Sequence, residues 1–266
     1  MKTGIILLAR MGASRLPGKV LREVCGKSIL EHVISRLRNV NADEIVVATT
    51  DTSKDNPIAD LCHVLKIQCF RGSEENVLER CAATVEKYKF DVVVRVGADS
   101  AVLDWYLINE MLKKYCSENM SGNELEYLSN TLMRSYPIGL DAEIFSGPTF
   151  RKIQRKISVL PEQERIQNEV NVIPYLHGHL DEFKTFSFYK DFDYTHFRWT
   201  LDTPADLELL TKIYESLYPE DEKFLMEDIL ELIRKNPSWS RINEGVVPVS
   251  GYWTEFEKSR LKREFN

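Results

Sequence analysis

No apolar run in the 266 residues approaches the roughly 20 that a membrane-spanning helix needs. The N-terminal segment MKTGIILLAR carries only a short one, and residues 12–19 lack the cleavage pattern of a signal peptide. A cytoplasmic protein without a membrane partner is expected. No two cysteines form a CxxC pair, and the five present (Cys25, Cys62, Cys69, Cys81, Cys116) are odd in number. They read as reduced, mostly buried thiols in a reducing compartment. Basic runs are absent and the net charge is −6, which argues against a nucleic-acid partner or an anionic membrane surface. A small anionic ligand would need a local basic pocket. Internal repeats and low-complexity tracts are missing as well.

What is present is an alternation of strand and helix signals with 43% hydrophobic residues, enough for one sizeable core. Residues 4–9 (GIILLA), 44–50, 67–70 and 91–96 (DVVVRV) are short apolar runs suited to strands buried on both faces. Between them, residues 28–37, 57–65 and 75–88 carry helical spacing, with Ser28 as an N-cap. This order predicts an α/β fold with a mostly parallel central sheet flanked by helices. After about residue 120 the pattern changes: strands over 126–130, 139–145 and 183–189 surround a helical stretch over 162–177. RWTLDT (198–203) leads into a helix with Thr203 as N-cap and Pro204 in its first turn, and helices over 205–218 and 226–235 follow. The organisation expected is a single α/β domain over 1–240, with residues 120–197 forming a smaller inserted lobe, and a tail over 241–266.

The strongest local signal is ARMGASRLPGK, residues 9–19, directly after the first strand. Sheets of this kind bind ligands beyond the carboxyl ends of their strands. The loop holds three cations, Arg10, Arg15 and Lys19, with Gly12, Ser14 and Gly18 between them. Small residues let backbone N–H groups approach a polyphosphate, and fixed cations stabilise charge that develops as a phosphate bond breaks. The bland alternative is a solvated basic turn. It is not a P-loop: five residues separate Gly12 from Gly18, and Val20 stands where the magnesium-binding hydroxyl belongs. A GxGxxG fingerprint is absent too. Asp99 falls just past the fourth strand, on the same sheet edge as the loop if the strands run parallel. Magnesium binds through one or two carboxylates plus substrate phosphates, which suits such an acid. Asp104 reads as the N-cap of a helix over 105–115. Asp202 is either a turn aspartate or a second metal ligand partnering Asp99.

Together these elements resemble the cytidylyltransferase superfamily that makes CMP-activated sugar acids, most closely the branch named for spore-coat polysaccharide biosynthesis. The resemblance runs over residues 2–243 and rests on RMGASRLPGKVL (10–21), DEIVVATT (43–50), FRGSEENVLER (70–80), VVVRVGAD (92–99), SNTL with YPIGLDAEIF (129–145) and RWTLDTPADL (198–207). It implies a nucleotide-diphospho-sugar transferase (GT-A-like) fold, a homodimer with residues 120–197 as acceptor and dimerisation lobe, CTP as co-substrate and Mg2+ as cofactor. By the same resemblance, Leu8, Ala9 and Arg10 line the cytosine and ribose side, and Gly72, Ser73 and Arg80 recognise the base. Arg10, Ser14, Arg15 and Lys19 hold the triphosphate, and Asp99 and Asp202 bind magnesium. An acceptor oxygen would attack the α-phosphorus in line as pyrophosphate leaves.

Departures cluster on the acceptor side. Ser100 and Ala101 follow Asp99 where the superfamily has a proline, Ile138 replaces an aspartate, and Val170 and Asn171 replace Glu and His. They point to an unusual acceptor, or to a nucleotide-binding scaffold without activity. A transferase using another nucleotide donor is the remaining alternative. Asp141 and Glu143 alternate along the strand 139–145, so both face one side, toward an acceptor or toward solvent. Arg198 either binds an acidic acceptor or pairs with a carboxylate. His177 and His179 read as a surface turn, and His196 carries no signal. Tyr252, Trp253 and Phe256 read as core or interface anchors of the tail, and Lys258, Arg260, Lys262 and Arg263 as a solvated helix face.

Overall fold

The computed structural model describes residues 1–191 and 193–246. The aromatic and basic tail positions from Tyr252 to Arg263 lie outside the described residues. In chain order, β1 (Thr3–Leu8) leads through the basic loop to a small hairpin, β2 (Glu23–Val24) and β3 (Lys27–Ser28), then α1 (Ile29–Leu37). β4 (Glu44–Thr50), α2 (Asn56–Val64), β5 (Gln68–Gly72), α3 (Val77–Tyr88) and β6 (Val92–Gly97) follow, then α4 (Trp105–Met120). The second half contributes β7 (Tyr127–Ser129), β8 (Glu143–Ser146), α5 (Thr149–Ile157), α6 (Glu162–Val170), α7 (Val172–Gly178), β9 (Thr185–Ser187), α8 (Pro204–Leu217) and α9 (Met226–Lys235).

One seven-stranded sheet runs in the order β5-β4-β1-β6-β8-β7-β9. β5, β4, β1 and β6 are mutually parallel, while β8 runs antiparallel to both β6 and β7. Alternate side chains of the central strands feed two cores, as a period of two dictates. Ile5, Leu7, Val47 and Val94 pack with α1, α4, α8 and α9 on one face. Ile6, Val46, Ala48 and Val93 pack with α3 and α5 on the other. Both faces are therefore covered, which is why these strands read as nearly unbroken apolar runs.

Local signals set the helix starts. Ser28 and Glu31 form a capping box on α1, Thr203 and Asp206 form one on α8, and the Asp104 carboxylate accepts the Leu107 N–H at 2.8 Å on α4. Three expectations are corrected. The strand expected over 139–145 begins only at Glu143, because Ile138 leaves the sheet to exchange backbone hydrogen bonds with Phe197 and Trp199 (2.9 and 2.6 Å). The helix expected over 162–177 breaks at Asn171, which is extended and caps α7. Pro174, lacking an N–H, sits within the first turn of α7, where that loss is tolerated. Of the cysteines, all free, only Cys62 and Cys81 are buried, and Cys25 is exposed.

Candidate active site

The basic loop after β1 is tied down by a buried carboxylate. Asp55 accepts hydrogen bonds from the Met11 N–H (2.8 Å), the Thr49 hydroxyl (3.0 Å) and both the N–H and hydroxyl of Thr50. Burial alone would raise the Asp55 pKa, but these donors outweigh it and the group is held below its ordinary value. The Gly18 N–H closes the loop on the Met11 carbonyl at 3.0 Å. Gly18 takes φ 68°, a left-handed conformation that a residue with Cβ adopts only with strain, and this turns Lys19 inward.

Asp99 leaves the end of β6, next to the loop because β1 and β6 are paired. Its carbonyl accepts the Leu201 N–H at 2.9 Å, so the segment before α8 is stitched to the end of β6. Asp202 thereby comes beside Asp99. Lys19 Nζ lies 3.0 Å from Asp99 Oδ2 and 2.7 Å from Asp202 Oδ1. Arg15 approaches Asp202 Oδ2 at 3.3 Å and Arg198 at 3.0 Å. Burial disfavours the Lys19 charge, yet the two carboxylates prevail and its pKa is raised. Asp202 shows the mirror image: burial is outweighed by Lys19 and Arg198, and its pKa is lowered.

These groups line a cleft of about 920 Å³. Its walls carry seven cations (Arg10, Arg15, Lys19, Arg80, Arg95, Arg134, Arg198) against four carboxylates (Asp99, Asp141, Glu143, Asp202), a positive pocket in an acidic chain. Leu8, Ala9 and Ser14 also face it. Gly12, Gly72 and Ser73 do not line it; Ser73 acts one step back, its carbonyl accepting from Arg80 Nη1 at 2.6 Å. Arg80 Nε is buried with no hydrogen-bond partner among the described residues.

The three residues expected to meet an acceptor are largely engaged already. Arg198 donates to the fully buried Asp206 (2.9 and 3.1 Å) and to Asp202, so it positions Asp202 instead of waiting for an anion. Asp141 forms a bidentate pair with Arg134 at 2.9 and 3.0 Å. Glu143 pairs with Arg95 and accepts from the Tyr127 hydroxyl at 2.8 Å; burial still raises its pKa. Arg95, Arg134 and His177 were not singled out from sequence as cleft residues. Arg95 was findable, being a charge inside an otherwise apolar strand. His177 is no surface turn: it lies on α7 and lines the cleft.

The cytidylyltransferase family model matches residues 4–235. A protein of Methanocaldococcus jannaschii without an assigned function is 31% identical over 252 residues, 92% of this chain and 96% of its own length. The spore coat polysaccharide biosynthesis protein SpsF of Bacillus subtilis is 28% identical over 237 residues, 87% of this chain and 94% of its own. A cytidylyltransferase structure from Leptospira borgpetersenii superposes with a TM-score of 0.83 at 28% identity, covering 93% of this chain and 99% of that one. With the cationic turn and paired acids at one sheet edge, and a family match spanning nearly the whole α/β core, the chain belongs to the cytidylyltransferase family.

Proposed function

We propose that this cleft transfers CMP from CTP to a small anionic acceptor, such as a sugar acid or sugar phosphate, for a surface polysaccharide or glycan precursor. The observation that carries the reading is Lys19 held between Asp99 and Asp202, with Arg15 on Asp202 and Arg10 lining the same cleft. The likeness to SpsF favours a polysaccharide precursor as the product.

The donors fit Mg2+. Asp99 and Asp202 offer hard oxygens on one side of the cleft, both within reach of the same Lys19 ammonium. Two carboxylates leave the remaining positions to phosphate oxygens and water, the usual arrangement for a nucleotide-bound magnesium. When bound, Mg2+ would neutralise charge on the phosphates. The chain's own cations supply the rest. Arg10, Arg15 and Lys19 would bind the triphosphate, and Leu8, Ala9 and Arg80 would face the nucleoside. The acceptor oxygen forms a bond to the α-phosphorus, the bond from that phosphorus to its bridging oxygen breaks, and pyrophosphate carries away the charge. An ionised acceptor needs little general-base help, so positioning and electrostatics dominate.

Residues 120–197 are read as the acceptor and dimerisation lobe of a homodimer. Arg134, Asp141 and His177 on the cleft support the first role, and exposed Val159 and Leu180 offer apolar surface for the second. Light scattering tests it. The decisive assay is pyrophosphate release with each of the four NTPs and Mg2+ against a panel of sugar acids and sugar phosphates. Release with CTP alone is expected; release confined to UTP or GTP would refute the donor assignment.

A further inference from the structure

Arg198 and Asp206 are held from a direction that the family match does not cover. The match ends at residue 235, and Asn243 lies beyond it. The chain turns back after α9 through a short helical turn, Pro237–Arg241. Trp239 and Ile242 pack against the core there, with the Lys212 ammonium 5.7 Å from the centre of the Trp239 ring. This delivers Asn243, a buried residue, to the back of the site. Its Nδ2 carries two hydrogens and has two acceptors. It donates to the Arg198 carbonyl at 2.9 Å and to Asp206 Oδ1 at 2.8 Å.

Arg198 is thereby fixed at its root and at its tip. The root is the carbonyl to which Asn243 donates. At the tip, Nε donates to the same Asp206 Oδ1 at 2.9 Å. Nη2 is shared between Asp206 Oδ2 at 3.1 Å and Asp202 Oδ2 at 3.0 Å. A side chain with this much rotamer freedom holds a partner in place only when its own position is fixed. Without the amide, a buried carbonyl loses its donor and Asp206 Oδ1 is left to the guanidinium. The guanidinium is then drawn further onto Asp206 and off Asp202. Asn243 itself does not line the cleft, so its reach into the site runs through Arg198.

We propose that Asn243 is a positioning residue for Asp202: through Arg198 it holds that carboxylate in the geometry that binds Mg2+ with CTP. This rests on the CMP-transfer reading, which gives Asp202 its metal. It makes the segment after α9, outside the family-matched core, a working part of the site.

Calorimetry of CTP binding across a Mg2+ titration, with no acceptor present, reads the metal without turnover. Asn243→Leu keeps similar bulk and removes both donors. Its half-saturating Mg2+ is expected to rise about tenfold, the lower end of what partners behind a metal ligand cost. CTP affinity at saturating Mg2+ should stay near that of the wild type. A misfolded fraction would lower the binding stoichiometry and leave the half-point where it was. Asn243→Ser, which keeps one hydroxyl donor, should show a smaller shift and reads the site if the leucine variant folds poorly. In an Asp202→Asn background, Asn243→Leu should add no further shift, because both changes act on the same carboxylate. An unchanged half-point in both single variants, or a full additional shift on top of Asp202→Asn, would overturn the proposal. Failure of the wild type to bind CTP would instead remove the transfer reading. A crystal structure of either variant then still decides the positioning: Arg198 Nη2 should leave Asp202 Oδ2, and an unmoved guanidinium would refute it.

Discussion

A single ammonium joins three distant stretches of chain: Lys19 Nζ sits 3.0 Å from Asp99, 80 residues away, and 2.7 Å from Asp202, 183 residues away. The lysine keeps two like-charged groups together in a cleft of about 920 Å³. Replacing it by methionine preserves its bulk and removes the charge. CTP-dependent kcat/KM should fall by about 10²- to 10³-fold, the usual loss for one preorganised stabiliser. Circular dichroism should show the fold intact, since water reaches both carboxylates; an unimpaired Lys19→Met enzyme would detach this lysine from the chemistry.

Asp99→Asn and Asp202→Asn separate metal binding from packing. Each replaces a charged carboxylate by a neutral amide that keeps a single, weaker oxygen ligand. A Mg2+ titration of pyrophosphate release should shift upward at least about tenfold in each variant. Chelation of divalent ions should stop wild-type turnover, with restoration on adding Mg2+. Wild-type activity that survives chelation would refute magnesium dependence.

Asp206 behaves as a structural keystone. It is fully buried, receives Arg198, Asn243 and the N–H groups of Asp202 and Thr203, and accepts the Thr203 hydroxyl. Asp206→Ala strands a buried guanidinium and several donors, so urea unfolding should lose about 3–5 kcal/mol. Asp202→Asn, at a partly exposed position, should lose far less stability while losing activity. Comparable destabilisation of the two would contradict this division of labour.

The pH dependence follows from His177. Its folded pKa is about 4 against an ordinary value of 6.5. Between those values the unfolded chain binds a proton that the folded chain refuses, so this site's contribution to stability is complete above 6.5 and is lost as pH falls toward 4. Thermal melts of wild type and His177→Gln from pH 7 to pH 4 should show the smaller drop in the variant. Proton NMR of the ring should place its titration near 4; a midpoint near 6.5 would show the ring solvated.

Much of this was readable locally. The apolar runs of β1, β4 and β6 announced a doubly covered sheet, because side chains on both faces need apolar surroundings. Ser28, Asp104 and Thr203 announced helix starts, because a cap needs only its own next three residues. α5 went unread although Phe150, Ile153 and Ile157 sit on one helical face and are buried, a signal that Gly147 and Pro148 obscured. The hairpin β2–β3, two residues per strand, is too short to carry a period.

The amino-acid sequence by itself determined the parallel core, the cationic turn after its first strand and the family to which they belong, since each is encoded in contiguous residues. Only the tertiary structure decided which carboxylate Arg198 serves, that Arg134 neutralises Asp141, and that His177 turns inward uncharged. Those outcomes depend on burial and on partners brought together by the closing of the sheet, and no spacing along the chain records them.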